Sequence, residues 1–168
     1  MKKYLLIATL VACLNNLAQA QTPYTYTKDG QTAILNGIVT KYILQNDSSF
    51  KWYITNHANY TPDADALKAM EASKGAVQYI IFGGTWCGDT KQILPQFFKL
   101  QELSGVTDNN ISFFAMDRTK KTLGNVGHAF KITNVPTIIV MKEGKEIGRV
   151  VEHGKSGKWD KDLTEILK

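Results

Sequence analysis

The run Val77-Gln78-Tyr79-Ile80-Ile81-Phe82 stops abruptly at Gly83-Gly84, and a helical pattern begins within a few residues, near Gly88. An apolar, β-rich stretch of this kind reads as a strand buried on both faces. The helical pattern continues to about Leu103 with Pro95 inside it, where a missing N–H predicts a kink. Beyond it, Ile111 to Met116 reads as a second strand and Leu123, Val126 and Phe130 mark a short helix. Thr137 to Met141 and Ile147 to Val151 are two further strands joined by a hairpin turn at Glu143-Gly144-Lys145. Trp159, Leu163, Ile166 and Leu167 fall on one face of a C-terminal helix. The order strand, helix, strand, helix, strand, strand, helix predicts an α/β fold: a central mixed sheet of four strands with helices on both faces.

Residues 21–75 do not share this alternation and read as a mainly helical extension preceding a domain at 76–168. Gln21 to Gly30 is polar and suits an extended lead-in or short strand. From Gln31 to Asn46, Ile34, Leu35, Ile38, Val39, Tyr42 and Ile43 recur at helical spacing, while their β-branched content keeps a strand in competition. Asp47 or Ser48 caps a short helix carrying Phe50, Trp52 and Tyr53. Thr61-Pro62-Asp63 reads as a helix start, with Thr61 as the capping hydroxyl, Pro62 at the first helical position and Gly75 as the stop.

The first twenty residues form a pattern of their own. Lys2 and Lys3 precede an apolar run from Tyr4 to Leu14, and Ala18-Gln19-Ala20 is a small-x-small site, so residues 1–20 are expected to be a signal peptide. The expected location is then periplasmic or extracellular. Leu10-Val11-Ala12-Cys13 also fits a lipobox, which would make the protein a membrane-anchored lipoprotein through Cys13. No later stretch approaches the roughly 20 apolar residues of a membrane span. Losing the leader removes two lysines and lowers the formal net charge from +5 to +3, too mild an excess for a nucleic-acid partner.

Cleavage after Ala20 leaves Cys87 as the sole cysteine, which excludes an internal disulfide. Trp86-Cys87-Gly88, at the end of the first core strand, resembles the Trp-Cys-Gly of the thioredoxin-like superfamily. Lys91 and Pro95 stand four and eight positions after Cys87, where that family has a Lys and a kinking Pro. Val135-Pro136-Thr137 resembles its cis-proline turn, and Lys142 to Gly148 its final hairpin. The resemblance covers about residues 76–168 and implies a thioredoxin fold, and the whole chain also resembles a group of exported bacterial proteins with Thr-Trp-Cys-x-Asp turns. It also implies a site of Cys87 and Thr90, with Trp86, Gly88, Asp89, Val135 and Pro136 lining a peptide groove, and neither cofactor nor metal. A cysteine at a helix N-terminus faces unpaired backbone N–H groups that suit an anion.

The chain departs from that family in two places. Thr90 stands where thioredoxins have the second cysteine, which attacks a mixed disulfide and releases the product; a hydroxyl cannot do this. Ile81 stands six residues before Cys87, where they carry a buried acid that assists the second thiol. Thr90 is left to donate a hydrogen bond to the sulfur, while Asp89 opposes a thiolate by repulsion. The implied activity is monothiol exchange with exported protein or small-molecule thiols and disulfides. The alternative is a non-redox module that holds a peptide or protein between Trp86 and Pro136. A peroxiredoxin reading meets Gly84, where those enzymes place Thr or Ser. His57, His128 and His153 lack metal-ligand spacing. Asp117-Arg118 follows the second core strand, where α/β sites gather, and reads either as groove lining or as a solvated ion pair. Glu152-His153-Gly154 reads as a turn, Trp86 as exposed beside the sulfur, and Trp52, Trp159 and Phe97-Phe98 as core.

Overall fold

The computed structural model describes residues 23–168; the leader and the lipobox cysteine lie outside the described residues. The strands are β1 (Tyr24–Asp29), β2 (Thr32–Val39), β3 (Gln78–Gly83), β4 (Ile111–Ala115), β5 (Thr137–Lys142) and β6 (Lys145–Val151). The helices are α1 (Lys41–Asn46), α2 (Lys51–Asn59), α3 (Ala64–Ala72), α4 (Gly88–Ser104), α5 (Val126–Ala129) and α6 (Trp159–Leu167). Among the described residues, no helix is long and apolar enough to cross a membrane.

The six strands form one sheet in the order β1-β2-β4-β3-β5-β6. β3 and β4 run parallel, from Tyr79 opposite Ile111 to Gly83 opposite Ala115, and α4 makes the crossover between them. The other pairings are antiparallel. Because strand side chains alternate, Tyr79 and Ile81 point into a large core with α3, α4 and α6, through Met70, Ile93, Phe97 and Trp159. Phe82 joins Met116, Val135 and Ile139 in a smaller core on the opposite face, covered by Val126 and Phe130. Ile81 is wholly buried, so its side chain brings no acid beneath the turn that follows.

The central four strands are β4-β3-β5-β6, and the extension adds β2 and β1 beyond β4. The helical spacing over residues 31–46 is therefore corrected: a strand runs to Val39 and a helix starts only at Lys41. Gly37 decides this, since its φ of +122° has no place in a helix and a Cβ there would meet the Pro23 carbonyl oxygen at 2.4 Å. Ile38 and Val39 instead pair with Phe114 and Phe113 of β4. A second correction concerns α3, which is capped by Asp63 rather than Thr61. The Asp63 carboxylate accepts from the N–H groups of Asp65 and Ala66, placing a full negative charge where the helix needs an acceptor.

Lys41 joins α1 to α4. Only 7% exposed, its Nζ lies 3.0 Å from Glu102 Oε1, Asp108 Oδ1 and Gln101 Oε1. Burial works to lower the Lys41 pKa, yet hydrogen bonds and attraction from Asp108 and Glu102 outweigh it and raise the value. Burial likewise opposes ionisation of Asp108, but the Tyr42 hydroxyl and Lys41 hold its carboxyl below the ordinary range. Lys41→Ala strands two partly exposed carboxylates near each other, and urea unfolding at neutral pH is expected to show a loss of about 1–3 kcal/mol. A lowered folded-state carboxyl contributes stability above its unfolded pKa and loses it as pH falls through the folded value. The gap between wild type and variant is therefore expected to shrink as the solution is acidified below about pH 4.

Candidate active site

β3 ends at Gly83, whose carbonyl accepts from Met116 N–H at 2.8 Å. The chain then turns through Gly84, Thr85 and Trp86 into α4, and each residue of the turn is held. The N–H of Gly84 donates to Thr90 Oγ1 at 3.2 Å, and its carbonyl accepts from Cys87 N–H at 2.8 Å. Gly84 has no room for a side chain, because a Cβ would lie 2.6 Å from the Trp86 indole. The hydroxyl of Thr85, 1% exposed, donates to the Ala33 carbonyl at 2.8 Å and accepts from Leu35 N–H at 3.1 Å. The turn is thus sewn to β2 of the extension.

Cys87 is the N-cap of the 17-residue helix α4 and is partly buried. Its Sγ–H donates to the Val135 carbonyl at 3.2 Å, across the cis Val135–Pro136 bond's loop. That loop is fixed in turn: Glu152 N–H donates to the Pro136 carbonyl at 2.7 Å, and Asn134 Nδ2 donates to Glu152 Oε1 at 3.0 Å. Trp86 is half-buried rather than exposed, because its Nε1–H donates to the Met116 carbonyl at 2.9 Å and the Arg118 guanidinium lies 5.5 Å from its ring centroid. Asp89, in the first turn of α4, has Oδ1 3.3 Å from His153 Nε2.

The family model for thioredoxin matches residues 65–165. The chain belongs to the thioredoxin family. It is 36% identical over 81 residues to a thioredoxin-like protein of Acanthamoeba polyphaga mimivirus, covering 48% of this chain and 56% of that protein. A thioredoxin of Staphylococcus haemolyticus is 31% identical over 81 residues, covering 48% of this chain and 73% of its own length. The crystal structure of a protein of unknown function from Pseudomonas aeruginosa shares the fold, with a TM-score of 0.52 at 14% identity over 76% of this chain and 89% of that one.

Within this thioredoxin-family site, the sulfur of Cys87 meets the carbonyl of Val135 in the cis Val135–Pro136 turn, Trp86 packs against the same small core, and Asp89 lies beside His153. Thr90 does not act as expected. It is fully buried and its hydroxyl oxygen accepts from the Gly84 N–H, while among the described residues the hydrogen bond of the sulfur goes to Val135. Its oxygen serves the turn as an acceptor. Gly88 has open space around it, and nothing in the structure explains a glycine there. Asp117 turns into its own loop, accepting from Thr119 N–H, Thr119 Oγ1–H and Lys121 N–H. Burial opposes its charge, but these bonds hold the carboxyl below the ordinary range. Arg118 alone of that pair reaches the site.

Thr85 and His153 are the site residues that sequence pattern does not single out, since both act on partners far along the chain. Thr85→Val removes a donor and an acceptor facing two buried backbone groups of β2. It is expected to cost about 2–4 kcal/mol in urea unfolding, whereas Thr85→Ser keeps the hydroxyl and most of the stability.

Proposed function

We propose that this protein performs thiol–disulfide exchange through Cys87, forming mixed disulfides with external partners that another molecule must resolve. The supporting observation is the division of labour in the turn: Cys87 caps α4 with its sulfur against the Val135 carbonyl, while Thr90, one helical turn on, is buried and committed to Gly84 N–H. Cys87 stands at the helix end whose first-turn N–H groups lack intrahelical partners.

In the reaction, Cys87 loses its proton to water and the thiolate attacks one sulfur of a partner disulfide. A Cys87–sulfur bond forms, the partner's S–S bond breaks, and the second partner sulfur leaves as a thiolate. Among the described residues Cys87 is the only cysteine, so a second external thiolate must attack the mixed disulfide and restore Cys87. The reading includes export to the periplasm or outside the cell, supported by Lys2-Lys3, the apolar run to Leu14 and Ala18-Gln19-Ala20. There the partners are exported protein or small-molecule thiols and disulfides.

The test is incubation with hydroxyethyl disulfide followed by intact-mass spectrometry. Wild type is expected to accumulate one adduct at Cys87 that persists until a thiol is added, and Cys87→Ser none. Thr90→Cys is expected to release the adduct unaided and to gain insulin-disulfide reduction with dithiothreitol as reductant. A wild-type protein that forms no adduct contradicts exchange and favours a groove that holds a partner without redox chemistry.

A further inference from the structure

Two arginines in this chain are used in opposite ways. Arg149 spends its whole guanidinium internally: Nε and Nη2 donate to the Glu146 carboxylate and Nη1 donates to the Phe130 carbonyl. Arg118 makes a single hydrogen bond, from Nε to Asp29 Oδ2 at 2.7 Å. Among the described residues its Nη1 and Nη2 donate to nothing, and its side chain is 49% exposed.

The one bond fixes where those free donors lie. Asp29 ends β1, which pairs with β2 from Tyr24 opposite Gly37 to Asp29 opposite Thr32. β2 in turn grips the active turn through Thr85. The hairpin of the extension therefore presents Arg118 over the Trp86 ring, and Trp86 directly precedes Cys87. A guanidinium stacked on an aromatic face with its fork open is arranged to take a carboxylate by two parallel hydrogen bonds.

Asp29 pairs with Arg118 through Nε alone, and the other charges around it leave the Nη1 and Nη2 fork available. Asp117 is consumed by Thr119 and Lys121 N–H groups, and Lys120 Nζ donates to the Thr133 carbonyl. Asp89, in the first turn of α4, lies beside His153.

Resting on the exchange reading of Cys87, we propose that Arg118 determines specificity: the partner disulfide carries a carboxylate near its reactive sulfur, bound by Nη1 and Nη2 of Arg118. The covalent step is the exchange already described, with the carboxylate unchanged.

The experiment measures Cys87 adduct formation by intact mass with three alkyl disulfides: dianionic dithiodipropionate, neutral hydroxyethyl disulfide and dicationic cystamine. Wild type and Arg118→Gln are compared at matched circular-dichroism spectra. Because the probes differ in intrinsic reactivity, the quantity read is the dianion-to-dication rate ratio, which is expected to fall roughly tenfold in Arg118→Gln. Added salt is expected to shrink the wild-type ratio toward that of the variant. An equal ratio in both proteins, including one in which every rate changes by the same factor, overturns the assignment while exchange stands. No reaction with any probe overturns exchange and this inference with it.

Discussion

The hydroxyl of Thr85, donating to the Ala33 carbonyl and accepting from Leu35 N–H, joins the two halves of the molecule at the point where chemistry is placed. It acts as a backbone substitute: the chain has left β3 and cannot pair as a strand, so a side chain supplies the donor and acceptor that β2 would otherwise lack. Buried backbone groups without partners are costly. The turn from Gly84 to Cys87 consequently has little freedom, with Gly84 held by Thr90, Trp86 by the Met116 carbonyl, and Cys87 by the Gly84 carbonyl.

This gives the extension a physical role. Residues before α3 are not a separate layer: Leu35, Leu44, Phe50 and Tyr53 lie in the same core as Phe97 and Phe98 of α4. The Lys41 cluster fastens α1 to the far part of α4 and its following loop, while Thr85 and Asp29 fasten the hairpin near the helix start. Helix α4, which carries Cys87, is gripped near both ends.

What could be read from sequence divides along chain distance. β3, β4, β5, β6 and α4 are legible because a buried apolar run, a Gly-Gly stop, a hairpin turn and an amphipathic stripe are local signals. β2 is not, because Ile34, Leu35, Ile38, Val39, Tyr42 and Ile43 satisfy helical spacing. Gly37 and pairing with β4, some 75 residues further along, decide against it. Trp86, Cys87, Val135 and Pro136 are legible as short motifs. The contacts of Thr85, Asp89 and Arg118 span 50, 64 and 89 residues, and no window of sequence brings those partners together. Thr90 shows the remaining gap: its spacing allows a bond to the sulfur, but the orientation of its hydroxyl follows from the N–H that the preceding turn leaves open.

The fold keeps the shape of a redox turn while the position one helical turn from the sulfur supplies an oxygen to the backbone. In the exchange we propose, Cys87 makes and keeps a covalent bond until another thiol removes it. The most direct test is the state of Cys87 in protein taken from the cells that make it, alkylated at the moment of lysis and analysed by intact-mass and peptide mass spectrometry. A fraction of Cys87 is expected in a disulfide with a second thiol, protein or small molecule, that dithiothreitol releases. Complete alkylation of Cys87, with no disulfide-linked species under oxidising growth, would contradict it.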